Sequence, residues 1–455
     1  MARTQHKLNL VVKTLAKPIQ EFLKLQSASG ILLFACAAFA LVWSNSMWLM
    51  RYDRFWHTTI TIGIGTASIS QSLVHWINDG LMAVFFFVVG LEIKRELLIG
   101  ELSTPKKALL PVIAAIGGMI VPAGIFLIFT GGTDFSTGWG IPMATDIAFS
   151  LGVLTLLGTR IPIQLKIFLT AFAIVDDIGA VVVIALFYAS NLVWSHLAFA
   201  GIIVVLLGCA NSIGVRHSLV YGVLGVLLWL AFLGSGVHAT IAGVILAMTI
   251  PARSKIDRPG LMQRAQSLLA DLERSNEDSA SKEEEEDYHA RVRELSQTCE
   301  DFEPPTQRFE HTLHPWVIFV IMPIYALANA GVAFSEGPSS LVSHPLALGI
   351  FVGLVIGKQV GITLFSWGAV RSGVASLPSS LTWRHIYGVA WLGGIGFTMS
   401  LFIAGLAFGI SDSMDVSKIG VYTGSLVSAL GGALILHPWG TISRRGGASQ
   451  RQEQG

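Results

Sequence analysis

Apolar runs of roughly 20 residues, each long enough to cross a bilayer, recur along most of this chain. Hydrocarbon offers no water to backbone N–H and C=O groups, so segments of this length satisfy themselves as helices. The expected fold class is therefore an all-α membrane protein. Composition agrees. Of 455 residues, 53% are hydrophobic and 13% charged, with a mean hydropathy of +0.64. Soluble domains carry about 25% charged residues. A soluble enzyme, a disordered chain and a fibrous repeat are excluded. The net charge of +1 gives no signature of nucleic-acid binding. Cys36, Cys209 and Cys299 share no metal or redox spacing and read as small packing residues.

Twelve spans are expected, over approximately 29–49, 77–98, 108–130, 139–158, 163–190, 194–212, 217–234, 236–251, 315–334, 345–368, 386–409 and 417–438. Fifteen of the 29 acidic residues fall between Arg253 and Glu310. That segment divides the chain into an N-terminal segment (1–28), a first membrane half (29–251), a charged loop (252–313), a second half (314–438) and a tail (439–455). Met1–Gln26 is basic and mixed, so the first apolar run reads as a retained anchor. The run His57–Ser70 is different. Thr59-Ile60-Thr61-Ile62-Gly63-Ile64 alternates with period two, which predicts a small β-hairpin outside the membrane.

Lys and Arg orient the spans. Arg3, Lys7, Lys13, Lys17 and Lys24 mark the N-terminus, and Lys94, Arg95, Lys106 and Lys107 the second-to-third connection. Arg160, Arg216, the charged loop, Arg371 with Arg384, and the tail fall on the same side. Both termini are expected in the cytoplasm. Arg51, Arg54 and Lys418 are exceptions to this asymmetry.

Four ionisable residues stand near the middle of spans: Asp146, the pair Asp176-Asp177, and Lys358. Intramembrane charges are expensive and are normally tied to transport or to a partner. One lysine cannot match three carboxylates, so a purely structural ion pair does not account for them. Adjacent helical residues point about 100° apart, so Asp176 and Asp177 cannot face the same surroundings. Two spans look broken. One contains Gly138-Trp-Gly140-Ile-Pro142-Met-Ala-Thr145-Asp146, the other Gly393-Gly394-Ile-Gly396-Phe-Thr398-Met-Ser400. Half-helix ends at such breaks carry partial charges that suit an Asp at an N-terminus and a Lys at a C-terminus. Two such spans, in corresponding places in two halves, point to an inverted-repeat transporter core.

These residues resemble a known family. Trp76–Leu97, Pro142-Met-Ala-Thr145-Asp146, Ile174-Val-Asp176-Asp177, Ser235-Gly-Val-His238, Ala328-Asn329-Ala-Gly, Gly357-Lys358 and Gly394-Ile-Gly-Phe-Thr-Met-Ser are similar to the bacterial Na+/H+ antiporters of the NhaA type. The likeness runs from about residue 20 to 440 and includes every buried charge. It implies twelve helices in inverted-topology repeats, with two discontinuous helices crossing at midplane, a fold for which this family is itself a standard example. It implies Asp177 as the ion ligand, Asp176 as its proton-carrying neighbour and the partner of Lys358, Asp146 as compensator of helix ends, and Thr145 as a further oxygen. It places Glu92, Lys94, Arg95, Glu96 and Glu310 at a cytoplasmic mouth linked to pH activation, and His238 in the pH response. An inner-membrane homodimer without cofactor is implied as well. The acidic loop is longer than the family pattern.

The charges suggest a mechanism. With Asp146 assigned to helix ends, two carboxylates and one ammonium remain, a net −1 in poorly hydrated surroundings. A proton, or Na+ or Li+ held by oxygen, neutralises it, and the two compete. More protons than sodium ions then move per cycle, as electrogenic exchange requires. A sodium-coupled symporter of an organic anion calls for a larger cationic cavity. An intramembrane aspartyl protease does not call for Lys358, and its Gly-x-Gly-Asp signature is missing. Twelve spans and the absence of a single aromatic-lined pocket around Lys358 argue against a retinal protein, and a passive channel does not couple proton movement to Na+.

Overall fold

The computed structural model describes residues 28–47, 49–64, 67–158, 161–189, 191–252, 304–332 and 344–437, with 262, 264, 266–268 and 290–294. The N-terminal segment, most of the charged loop and the tail lie outside the described residues. The described chain falls in two units. One lies within Met1–Asn78, Glu101–Tyr188 and Ile318–Gly455, the other within Asp79–Gly100 and Ala189–Val317.

Seven described helices are long and apolar enough to cross a membrane. They are α3 (Leu73–Leu98), α4 (Pro105–Thr130), α7 (Ile163–Phe187), α8 (Trp194–Ile213), α11 (Pro305–Asn329), α12 (Pro345–Arg371) and α15 (Asp412–Leu436). Two bent pairs raise this to nine: α5–α6 (Asp134–Met143, Ile147–Leu156) with a 41° bend, and α13–α14 (Trp383–Gly393, Phe397–Phe408) with a 43° bend. The runs near 29–49, 217–234 and 236–251 carry only α1 (Ala28–Ser44), α9 (Ser218–Leu233) and α10 (Ile241–Thr249), shorter than a full crossing. The last is curtailed because Gly236 adopts φ 82° and Val193 N–H donates to Ser235 O, so the chain turns where hydropathy alone continues a helix. In the other direction, α11 begins at Pro305, ahead of the apolar run, and takes Glu310 into the helix.

The predicted hairpin forms. Strand β1 (Thr59–Ile64) pairs antiparallel with β2 (Ala67–Ser72), in a register running from Thr59 opposite Ser72 to Ile64 opposite Ala67. Before it lies α2 (Leu49–Trp56), with Tyr52 and Trp56 buried and Arg51 and Arg54 exposed. The two arginines sit on a short surface helix rather than in a span.

In the first unit, α12 lies on α4 through glycines spaced every fourth residue. A Cβ on Gly353 would stand 3.3 Å from Pro122 O (and 2.7 Å from Pro142 Cβ of the neighbouring α5), on Gly357 2.7 Å from Pro122 Cα, and on Gly361 2.1 Å from Gly117 O. Without side chains in the way, the backbones touch, and dispersion replaces the hydrophobic drive that lipid cannot supply. A π-helical turn at Gly353–Gly357 ends directly before Lys358. Leu110, Leu169, Phe172, Ile362 and Ile386 pack in the core around this crossing.

The C-terminal end of α11 is closed by side chains from four other elements. Tyr52 Oη donates to Leu327 O at 2.9 Å and accepts from Gly331 N at 3.0 Å. Burial pushes the Tyr52 hydroxyl above its usual pKa, so the donor proton stays in place. Tyr422 Oη reaches Ala330 O at 2.7 Å, Lys418 Nζ reaches Gly331 O at 2.7 Å, and Asn45 Nδ2 reaches Val332 O at 2.7 Å. Asn78 and Asn329 exchange side-chain amide bonds at 2.9 and 3.2 Å. Lys418 therefore departs from the charge asymmetry for a local reason. It caps a helix C-terminus, where a cation is favoured, and pairs with Asp415 at 2.9 Å.

In the second unit, α3 meets α10 through Gly90, whose Cβ would fall 2.7 Å from Ala247 Cβ, and Gly243, whose Cβ would fall 2.2 Å from Ala83 O. Phe87, Leu207, Tyr221 and Leu228 form part of its core.

The α4–α12 crossing is testable. Gly357→Leu forces a side chain into Pro122, and overpacking of this kind costs about 1–3 kcal/mol. The expected outcome is a lowered Tm of the purified protein. Gly368→Leu on the same helix, with nothing within 4 Å of its Cβ position, leaves Tm unchanged or raised.

Candidate ion-binding site

The two breaks are the origin of the site. The 3₁₀ helix α5 ends after Pro142-Met143, and Ala144-Thr145-Asp146 run extended before α6 begins. Pro142 lies in the last turn of α5, and the chain leaves the helix directly after it. In the second pair, Gly394-Ile395-Gly396 separate α13 from α14. Gly394 and Gly396 are required by close approach. A Cβ would lie 2.5 Å from Leu354 O at the first, and 2.1 Å from Ser400 Oγ and 3.0 Å from Ala144 O at the second.

The freed backbone of each break is satisfied largely by the other. Asp146 N–H donates to Ile395 O at 2.6 Å. Thr145 Oγ1 donates to Gly393 O at 2.8 Å, Ser150 Oγ to Leu392 O at 2.8 Å, and Ser400 Oγ to Ile141 O at 2.7 Å. Ser425 of α15 accepts from Gly396 N and Phe397 N, both at 3.2 Å. These groups are buried and would otherwise be costly orphans.

Asp146 stands where both rear half-helices begin. Its carboxylate accepts from Phe149 N in the first turn of α6 at 3.1 Å, and from Thr398 N in the first turn of α14 at 3.0 Å. The Thr398 hydroxyl donates to the same oxygen. One negative charge thus faces two positive helix ends.

Lys358 lies opposite in charge. Its ammonium is fully buried, 3.0 and 3.2 Å from the two Asp176 oxygens and 2.9 Å from Thr145 Oγ1. Because Thr145 donates onward to Gly393 O, the ammonium is relayed to the C-terminal end of α13, the partner a cation prefers. Phe172 places its ring 5.7 Å away and closes the apolar side.

Asp176 and Asp177 both come from α7 and are both buried. Asp176 takes the direct bond with Lys358. Asp177, displaced by the helical turn, acts on Lys358 through its charge. Asp146, Thr145, Asp176, Asp177 and Lys358, with Pro142, Gly394 and Gly396, therefore belong to one unit and one region. Thr398, Ser150, Ser400 and Ser425 complete it. The hydroxyls of the two broken motifs were visible as polar residues in apolar runs. Ser425 carried no signal beyond its place among the small residues of α15.

The remaining candidates lie in the second unit. Arg95 pairs with Glu310 at 2.6 Å and with Glu96 at 3.3 Å, and Glu310 is buried. Glu92, on the same helix as Arg95, is half-buried. Lys94 stands apart from this carboxylate group. Its ammonium reaches Met248 O at 2.6 Å and Ile250 O at 2.5 Å, closing the C-terminus of α10. His238 Nδ1 is 3.8 Å from Asp79 Oδ1. Asp79, inside the Trp76–Leu97 stretch but given no role from the sequence, sits in a π-helical turn of α3 and holds Trp229 Nε1 through its backbone carbonyl at 2.9 Å.

Comparison with known proteins agrees with this geometry. The sequence profile described as Na+/H+ antiporter 1 matches residues 20–436. A protein named Na(+)/H(+) antiporter NhaA from Koribacter versatilis is 49% identical over 428 residues, covering 94% of this chain and 92% of that protein. Proteins of the same name from Oleidesulfovibrio alaskensis and Syntrophobacter fumaroxidans are 48% and 45% identical, covering 93% and 97% of this chain and 94% of each relative. A match over nearly the whole length, with the paired breaks and buried charges inside it, makes this multi-pass membrane chain a member of the Na+/H+ antiporter 1 family.

Proposed function

We propose that this protein exchanges Na+ or Li+ for a larger number of protons across a bacterial inner membrane. The observation that carries the reading is the charge arithmetic of the buried site. Asp146 is occupied by two helix N-termini, and two buried carboxylates, Asp176 and Asp177, share the single ammonium of Lys358, a net −1 when all three are ionised. Desolvation makes that excess unfavourable, so the site takes up either a proton or an alkali cation. Loading one expels the other. Exchange follows when the site opens to one side at a time.

Asp177 is the ion ligand in this reading, with Asp176 and Thr145 able to add oxygens once the ammonium moves. The second proton travels on Asp176 or on Lys358, which makes the cycle electrogenic. Completing the membrane domain takes α1, α9 and α10 as further crossings, giving twelve spans with both termini in the cytoplasm. The hairpin is assigned to a homodimer contact. The Arg95–Glu96–Glu310 group with Glu92, and the His238–Asp79 pair, are assigned to pH regulation. Lys94 is assigned to the same region through its hold on α10.

The test uses everted membrane vesicles with an acid interior and a pH-sensitive dye. Addition of Na+ or Li+ releases luminal protons in the wild type, and K+ does not. Asp177→Asn abolishes the response to the level of vesicles without the protein, and full activity in this variant removes the assignment. Lys358→Met displaces the pH profile of exchange without abolishing it, because one proton carrier and the partner of Asp176 are lost together. Glu96→Ala shifts the activation profile measured between about pH 6 and 9. An unchanged profile assigns Glu96 and Arg95 to an ordinary solvated helix end.

A further inference from the structure

On the first unit, α12 and α13 enclose a groove of about 680 Å3 that the ion-binding site does not use. Its α12 wall repeats every fourth residue: Gln359, Thr363 and Trp367, a spacing that puts them on one helix face. Arg371, the last residue of α12, continues that stripe. The α13 wall repeats likewise, through Trp383, Tyr387 and Trp391. The rim opens outward, since Val360, Leu364 and Trp367 are 45%, 54% and 52% exposed on a helix apolar enough to span hydrocarbon.

The wall chemistry is unusual for a surface turned to lipid. Gln359 is 5% exposed, and its Nε2 amide has no acceptor among the described residues. The same holds for Thr363 Oγ1 and Trp391 Nε1. All three are donors, and all three belong to residues that line one groove. A hydrocarbon chain alone leaves them unsatisfied, which is costly at membrane depth. The occupant that fits brings acyl chains for the apolar rim and an acceptor oxygen for Thr363, the α12 donor nearer the arginines. Trp367, Trp383 and Tyr387, toward the α12–α13 connection, mark the level where headgroups begin. Arg371 and Arg384 stand at that end, and Arg384 also holds Ile435 O at 2.8 Å. Two cations at a headgroup level complement a negative phosphate.

We propose that this groove is a binding site for an anionic phospholipid, with its phosphate beside Arg371, an ester carbonyl accepting from Thr363, and its acyl chains running deeper along the groove past Gln359 and Trp391. The lipid would then rest on the outer face of the helical turn that carries Lys358 on its inner face.

The test places full-length protein in nanodiscs containing phosphatidylglycerol or phosphatidylcholine, each brominated on its acyl chains, and reads tryptophan fluorescence. In the wild type, brominated phosphatidylglycerol quenches more than brominated phosphatidylcholine. That excess disappears in Trp367→Phe/Trp383→Phe/Trp391→Phe. It falls at least twofold in Arg371→Gln/Thr363→Val. Val360→Phe/Leu364→Phe fills the groove while keeping its indoles, removes the excess equally, and serves if the indole variant does not fold. Equal quenching by the two lipids in the wild type overturns the proposal, as does an excess that survives groove filling. Photocrosslinking of a second copy from position 364 in place of lipid overturns it as well.

Discussion

A charge in hydrocarbon has to be answered by something, and in this protein half of the answer is backbone. Lys358 and Asp176 answer each other directly, 3.0 Å apart with no exposure to solvent. Asp146 is answered by the first turns of α6 and α14, and the far side of Lys358 by the last carbonyls of α13 through Thr145. Without broken helices these ends would not exist at the depth where the charges lie. Without the charges, the ends would be uncompensated dipoles in an apolar medium. The breaks and the ionisable residues are therefore one device, in which Asp176 and Asp177 share one ammonium.

Holding such a device requires helices that do not separate. Lipid tails are as apolar as leucine, so packing must come from close backbone approach. Gly353, Gly357 and Gly361 bring α12 against α4, while Gly117 on the facing helix offers its carbonyl. Small hydroxyls do the rest. Ser150, Ser400 and Ser425 each bond main-chain atoms of another element, so the unwound segments are fixed by donors and acceptors rather than by bulk.

The lysines show how similar side chains part company by surroundings. Lys358 faces a carboxylate. Lys418 and Lys94 close helix C-termini, at Gly331 O and at Ile250 O. In an apolar medium a helix end is itself a partner for charge. A lysine near one therefore reports local backbone geometry as readily as membrane orientation.

Much of this was legible in the residues. Apolar runs required helices, period-two alternation gave the hairpin, and Pro142, Gly394 and Gly396 marked the interruptions. A lone lysine among three intramembrane acids required a paired site, because charge in such runs is not tolerated by chance. Span limits were less legible. Glycine at Gly236 turns the chain inside an apolar run, and Pro305 starts α11 in polar sequence, and neither shows in a hydropathy sum. Tertiary structure alone decided which acid meets the ammonium. Asp176 and Asp177 are identical in kind and adjacent in sequence, and only the rotation of α7 against α12 sets them apart. It also decided that Asp146 serves two helix ends at once, since Phe149 lies nearby in sequence and Thr398 does not. Composition fixes what must be buried, but direction and partner depend on how helices turn toward one another.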